Sequence, residues 1–141
     1  MTTRAQVVAA ARGWIGTPFL HQGRARHAGC DCAGLIIGVA HELGLTDFDT
    51  ADYARTPHGG RLRQVCDEQL RPIPEREIAA GDVLLLKFIA EPHHLAFGGD
   101  YVHGGLSLIH AYARGRGVVE HRLDATWRAR IVAAYRLPGV A

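Results

Sequence analysis

Nucleophiles, bases and metal ligands concentrate in two stretches of this chain. The first is "GCDCAGLIIGVAHELG", residues 29–44, in which Cys30 and Cys32 flank Asp31. The second is "PHHLAFGG", residues 92–99, followed by "LSLIHAY" at 106–112. A cysteine pair around an aspartate can be a metal knuckle, a redox pair or the surroundings of a nucleophile. Zinc knuckles favour cysteine gaps of about two to four residues and come in pairs. Here one residue separates the two cysteines, and no second knuckle exists. Dithiol redox pairs likewise show a gap of about two. A thiol nucleophile needs a base, and histidine is the natural one because it titrates near neutrality.

The flanking elements must position these groups. From Cys32 onward, Leu35, Ile36, Val39, Ala40 and Leu43 recur at helical spacing, and Gly44 stands where a helix C-terminal cap belongs. Cys32 therefore falls at a helix start. There, unpaired N–H groups and the helix dipole are expected to lower the thiol pKa and to supply half of an oxyanion hole. Gly29 and Gly34 are expected to allow a substrate close to the backbone. In a strand from 94 to 98, His94, Ala96 and Gly98 share one face, opposite Leu95 and Phe97. In the next strand Leu108, His110 and Tyr112 share a face. Antiparallel pairing would bring His94 beside His110, which would orient the His94 imidazole as the third member of a triad does. His93 points the other way.

Earlier, Thr3 and Gln6 form a capping-box pattern, and Val7, Val8, Ala11, Trp14 and Ile15 predict a helix over 4–15, ended by Gly16-Thr17-Pro18. Residues 19–30 read as a loop, 46–60 as a polar segment, 60–70 as a third helix and "RPIPERE" as a linker. After Gly81-Asp82 come short β-like runs, "VLLLKFIA", "HLAFGGDYVHG", "LSLIHAYA", "GVVEHRL" and "RARIVAAYRL". Helices followed by an antiparallel meander define an α+β class. Cys66 lies on the apolar stripe of its helix and reads as core. His27, His41, His58, His103 and His121 carry no motif and read as surface or loop histidines.

The whole chain, 1–141, reads as one catalytic domain. Hydrophobic residues make up 48%, enough for a sizeable core. The net charge of +2 is dispersed, so nucleic acid is not an expected partner. An odd count of three cysteines is not a disulfide framework, which predicts a reducing cytoplasm as the place of synthesis. The start "MTTRAQVVAAARGW" is too polar for a signal peptide, and no apolar run approaches the roughly 20 residues that span a bilayer. No membrane insertion, cofactor or metal is expected.

Five stretches resemble, in order, the motifs of the NlpC/p-sixty superfamily of papain-like cell-wall peptidases, especially those of phage tails and phage-like gene transfer agents. "WIGTPFLHQG" resembles the family's tryptophan–Gly-Thr-Pro–aromatic motif, and "CDCAGL" its Asp-Cys-Ser-Gly-Leu nucleophile motif. "AAGDVLLL" resembles the Gly-Asp turn into the sheet, "HLAF" the base motif, and "LIHAY" the strand of the third triad residue. The resemblance implies a papain-like fold, with the nucleophile at a helix start packed on an antiparallel sheet. It implies a Cys32–His94–His110 triad cutting the γ-D-glutamyl–diaminopimelate amide of peptidoglycan stem peptides. Asp31 resembles an aspartate that helps hold the substrate's free amine. Two positions depart from the pattern. Phe19 stands where the family has a tyrosine whose hydroxyl can assist the oxyanion, so His21 or Gln22 is expected as substitute donor. Ala33 replaces a common serine.

The expected partners are a stem peptide and proteins of a phage-like tail or baseplate. The chain is expected to act in the periplasm from a tail particle, docked through residues 46–60 or the outer sheet face. Three alternatives stand: a thiol amidase or acyltransferase of the same fold, a structural tail component that retains the fold, and a zinc protein.

Overall fold

The computed structural model describes residues 1–54 and 59–141; His58 and part of the 46–60 segment lie outside them. Helix α1 spans Arg4–Arg12, three residues shorter than its apolar spacing predicts. Thr3 accepts from Gln6 N and Gln6 caps Thr3 N in return, completing the capping box. Turns then carry Trp14 and Ile15 round to Gly16 (φ 92°), where only glycine is relaxed. The loop expected at 19–30 contains a ribbon of β1 (Arg24–Ala25) and β2 (Gly29–Cys30). Helix α2 spans Cys32–Glu42. It closes as a Schellman motif, Leu45 N donating to Ala40 O and Gly44 N to His41 O, with Gly44 at φ 67°. Helix α3 spans Arg61–Gln69.

The "RPIPERE" stretch is not a linker. Arg71–Ile73 form edge strand β3, where Pro72 is tolerated, and Glu75–Glu77 form a 3₁₀ turn. Strands β4 (Val83–Lys87), β5 (Pro92–Asp100), β6 (Leu106–Tyr112) and β7 (Gly117–Arg122) follow as the expected meander. After a short helix α4 (Ala125–Arg128), β8 (Ile131–Arg136) returns to pair with β4 instead of extending the meander beyond β7. The sheet order is β3-β8-β4-β5-β6-β7, with every pair antiparallel.

Burial explains this return. Tyr135 enters the helix-facing core while Ala134 enters the opposite face, so β8 alternates like the central strands. Asp82, fully buried, accepts from Arg136 Nε at 2.9 Å and from Arg4 Nη1 at 3.1 Å. One carboxylate thus ties β8 and α1 to the start of β4. Leu95, Phe97, Ile109 and Ala111 face the helices, packing with Val7, Trp14, Leu35 and Val39. Each buried leucine or phenylalanine contributes about 1.5–3 kcal/mol. Helix α2 lies so close that a Cβ on Gly38 would sit 2.3 Å from the Trp14 ring.

Candidate active site

Cys32 opens α2, and Asp31 caps that helix, accepting from Gly34 N at 2.8 Å. Gly34 is required, but not for substrate. A Cβ there would stand 1.9 Å from the Gly23 carbonyl oxygen, so the close approach is made by the protein's own loop. A Cβ on Gly29 would likewise meet the Leu20 side chain at 2.8 Å. The strap Thr17–Phe19 is held by bridges from Pro18 to Gly117 and from Phe19 to Cys30. It forms one wall of a cleft lined by Phe19, His21, Asp31, Cys32, Tyr53, Phe88, His93, His94, Tyr112, Arg114 and Arg130.

His94 and His110 meet. His94 Nε2 lies 2.6 Å from His110 Nδ1, and both rings are buried. His93, which also lines the cleft, does not join this pair; its Nε2 lies 3.0 Å from the Ala54 carbonyl oxygen. Among the described residues, no hydrogen bond joins Cys32 to the His94 ring. Both line the same cleft, and such contacts commonly tighten only with substrate bound. Burial lowers the pKa of His94 to about 3 and of His110 to about 2, so both rest neutral.

The thiol departs from expectation. Burial, with the Asp31 carboxylate adding to it, pushes Cys32 up to about 12. Hydrogen bonds from the backbone of Leu95, Ala33 and Cys32 itself pull the other way without winning. The helix terminus therefore does not lower the thiol pKa in the way its position predicts. Cys30 and Cys66 are buried and also pushed up to about 12, chiefly by burial.

Asp31 is buried and already engaged. Besides Gly34 N, it accepts from Gln22 N at 2.6 Å and from the Tyr53 hydroxyl at 2.9 and 3.0 Å, while His21 Nδ1 stands 3.7 Å away. Its oxygens are thus taken up within the protein and it is not a free carboxylate. The Gln22 side chain is not in the cleft lining. Its amide donates to the carbonyls of Ala51 and Tyr53, which removes it as an oxyanion donor. His21 does line the cleft, its ring edge-on to Tyr53 at 5.8 Å.

Three residues gained a place here that sequence reasoning missed. Tyr53 brings a phenolic hydroxyl into the cleft that Phe19 cannot supply; Arg24 Nη1 donates to it at 3.0 Å. Nothing in the polar segment marks Tyr53 beforehand. Its neighbour Ala54 also lines the cleft, so this part of the segment expected to dock a partner is instead cleft wall. Trp127 packs edge-on to His110 at 5.0 Å. His121 Nε2 lies 2.8 Å from His110 Nε2. The hairpin of β6 and β7 could have revealed it, since pairing Tyr112 with Gly117 puts His121 opposite Leu108, on the His110 face.

A helix-start cysteine and a strand histidine, joined on an α+β scaffold, define the papain-like class. Within it, the NlpC/P60 family model matches residues 16–136, and the chain belongs to that family. Solved structures agree on the fold. The NlpC/p60 domain of the peptidoglycan hydrolase SagA is 23% identical, with 95% of this chain and 98% of that one aligned and a TM-score of 0.63. An NlpC/P60 family protein from Bacillus cereus is 18% identical over 95% of this chain and 40% of its own, with a TM-score of 0.70. An N-acetylmuramoyl-L-alanine amidase from Bacteroides uniformis is 10% identical, covering 95% and 98%, with a TM-score of 0.61. No curated protein sequence matches the chain.

Proposed function

We propose that the chain is a cysteine endopeptidase of peptidoglycan that hydrolyses the γ-D-glutamyl–diaminopimelate amide of stem peptides. Cys32 is the nucleophile, His94 the base and His110 the residue that orients it. The His94–His110 hydrogen bond carries this reading. It occupies Nε2 of His94 and leaves Nδ1 as the nitrogen available to the cleft that Cys32 lines.

Sγ of Cys32 adds to the amide carbonyl carbon while its proton passes to His94 Nδ1. The carbonyl oxygen takes up negative charge near the N–H groups of the first turn of α2. His94 then gives the proton to the leaving amine, and a thioester remains on Cys32. Water, deprotonated by His94, cleaves the thioester and restores the thiol. The charge of Asp31 draws the substrate's free amine, with Tyr53 and His21 beside it. Arg114 and Arg130 line the same cleft and suit the stem peptide's carboxylates.

The resemblance to phage-tail and gene-transfer-agent peptidases supports placing this activity on a phage-like tail that reaches periplasmic peptidoglycan. Tethering raises effective concentration on an insoluble polymer. The test is a digest of purified peptidoglycan and soluble stem peptides with wild type and Cys32→Ala, read by mass spectrometry. Wild type alone should cut the γ-glutamyl bond. Cutting between muramic acid and L-alanine would make it an amidase of the same fold, and no cutting by either would leave a structural role. Absence from purified particles would remove the tail.

A further inference from the structure

Three histidines form a diagonal row across one face of the sheet, on β5, β6 and β7. His94 Nε2 meets His110 Nδ1 at 2.6 Å, and His110 Nε2 meets His121 Nε2 at 2.8 Å. His121 Nδ1 ends the row on the backbone carbonyl of Arg122, at 2.9 Å. Resting on the reading of His94 as the base, we propose that His121 is a positioning residue. It sets the order of protons along the row and so keeps Nδ1 of His94 bare.

The order follows from the last link. A carbonyl oxygen only accepts, so His121 Nδ1 carries a proton. Where the His121 ring is unprotonated it has one donor and one acceptor, so His121 Nε2 accepts. His110 Nε2 must then donate, which leaves His110 Nδ1 to accept. His94 Nε2 must donate in turn, and its Nδ1 is left with a lone pair. Reversing the order would put the proton on His94 Nδ1, where the base could not take one from the thiol.

His110 does not have a water-exposed alternative. It is fully buried, its ring stacked on Tyr112 at 5.2 Å and edge-on to Trp127 at 5.0 Å. His121 is the partner of its Nε2 among the described residues. Without that acceptor, a buried Nε2–H goes unpaired, and the tautomer with the proton on Nδ1 gains by roughly tenfold. That is the tautomer that turns the proton of His94 toward the cleft. The ring that appeared in the sequence as a stray surface histidine is thus the anchor of the base.

The test is nitrogen NMR of the full chain with labelled histidine at about pH 8, above the ordinary histidine range, alongside steady-state kinetics on a soluble stem peptide at the same pH. In wild type, His94 and His110 should each show a protonated Nε2 and a bare Nδ1. His121→Phe keeps a ring against Trp127 but removes the acceptor. It should lose the single tautomer at His110 and lower kcat roughly tenfold or more, with KM changed by less than about twofold. His121→Gln can accept from His110 through Oε1 and donate to the Arg122 carbonyl through Nε2, so it should recover most of that loss. A proton on Nδ1 of His94 or His110 in wild type overturns the proposal, as does a His121→Phe protein that keeps both tautomers and its kcat. Should His121→Phe fail to fold, the wild-type spectrum and the kcat of His121→Gln still decide. If no stem peptide is cut by wild type, the peptidase reading fails separately, because the spectrum reports the proton order by itself.

Discussion

On the helix-covered face of the sheet, Leu95, Phe97, Ile109 and Ala111 join Val7, Trp14, Leu35 and Val39 in one apolar cluster. On the opposite face, the same strands carry His94, His110 and His121 among Leu108, Tyr112 and Trp127. Both faces take side chains out of water, His94 and His110 among them, but they do different work with that burial. The first gains free energy from burying hydrocarbon. The second buries polar rings, which is tolerable because each ring nitrogen of His110 has a partner. Strand alternation keeps the two kinds of burial on separate sides, so chemistry can be altered on one face without dismantling the other.

The sharpest break in that comparison is His94→Ala. It removes the base from the polar face and should lower kcat/KM by about a thousandfold. His93→Ala, one residue away and bonded to Ala54 instead of His110, should cost only a few-fold, by the same stem-peptide assay. Equal losses would show that the strand register does not separate the two rings.

The next contrast is between faces. Phe97→Ala should destabilise the chain by about 3–5 kcal/mol in urea unfolding, since it leaves a cavity in the apolar face. His110→Gln should lower kcat while shifting stability by less than Phe97→Ala, because an amide can still bond the neighbouring rings. It should also keep more activity than His94→Ala, since it orients the base and does not carry the proton. A His110→Gln protein as unstable as Phe97→Ala would erase the distinction.

The mildest effect is on pH. The folded pKa values of His94 and His110 lie below those of unfolded histidine. Above about pH 6.5 the rings are neutral in both states. Below it the unfolded chain binds more protons, so stability falls as pH falls from about 6.5 toward 3. The slope should reach about 1.4 kcal/mol per pH unit for each ring. Urea unfolding at pH 7, 6 and 5 measures it, and the slope should shrink in His110→Gln. An unchanged stability from pH 7 to 5 would mean that the rings are not buried neutral.

Much of the site was legible because it rests on local periodicity. Alternation alone assigned His94 and His93 to opposite faces and His110 to the face of His94. Helical spacing alone placed Cys32 at a helix start. Those inferences need only the chain's own repeat of two or 3.6 residues, which tertiary context did not disturb here.

What local pattern could not settle depends on groups distant in sequence. Gln22 looked available until the 46–54 segment folded over it and took its amide. Tyr53 became part of the cleft only because Arg24 and Asp31, far along the chain, hold its hydroxyl. The return of β8 to β4 follows from burial on both faces and from the Asp82–Arg136 pair, neither visible in a hairpin pattern. The resting charge of Cys32 shows the same division. Sequence placed it at a positive helix end, but the tertiary structure left it half-buried beside Asp31, and loss of water there pushes its pKa up despite the terminus. By itself, then, the sequence determined the order of the main helices and meander strands, the faces of the β5 and β6 side chains and the family. Only packing decided which polar groups lose water and which find partners, because desolvation and pairing are properties of the assembled surroundings.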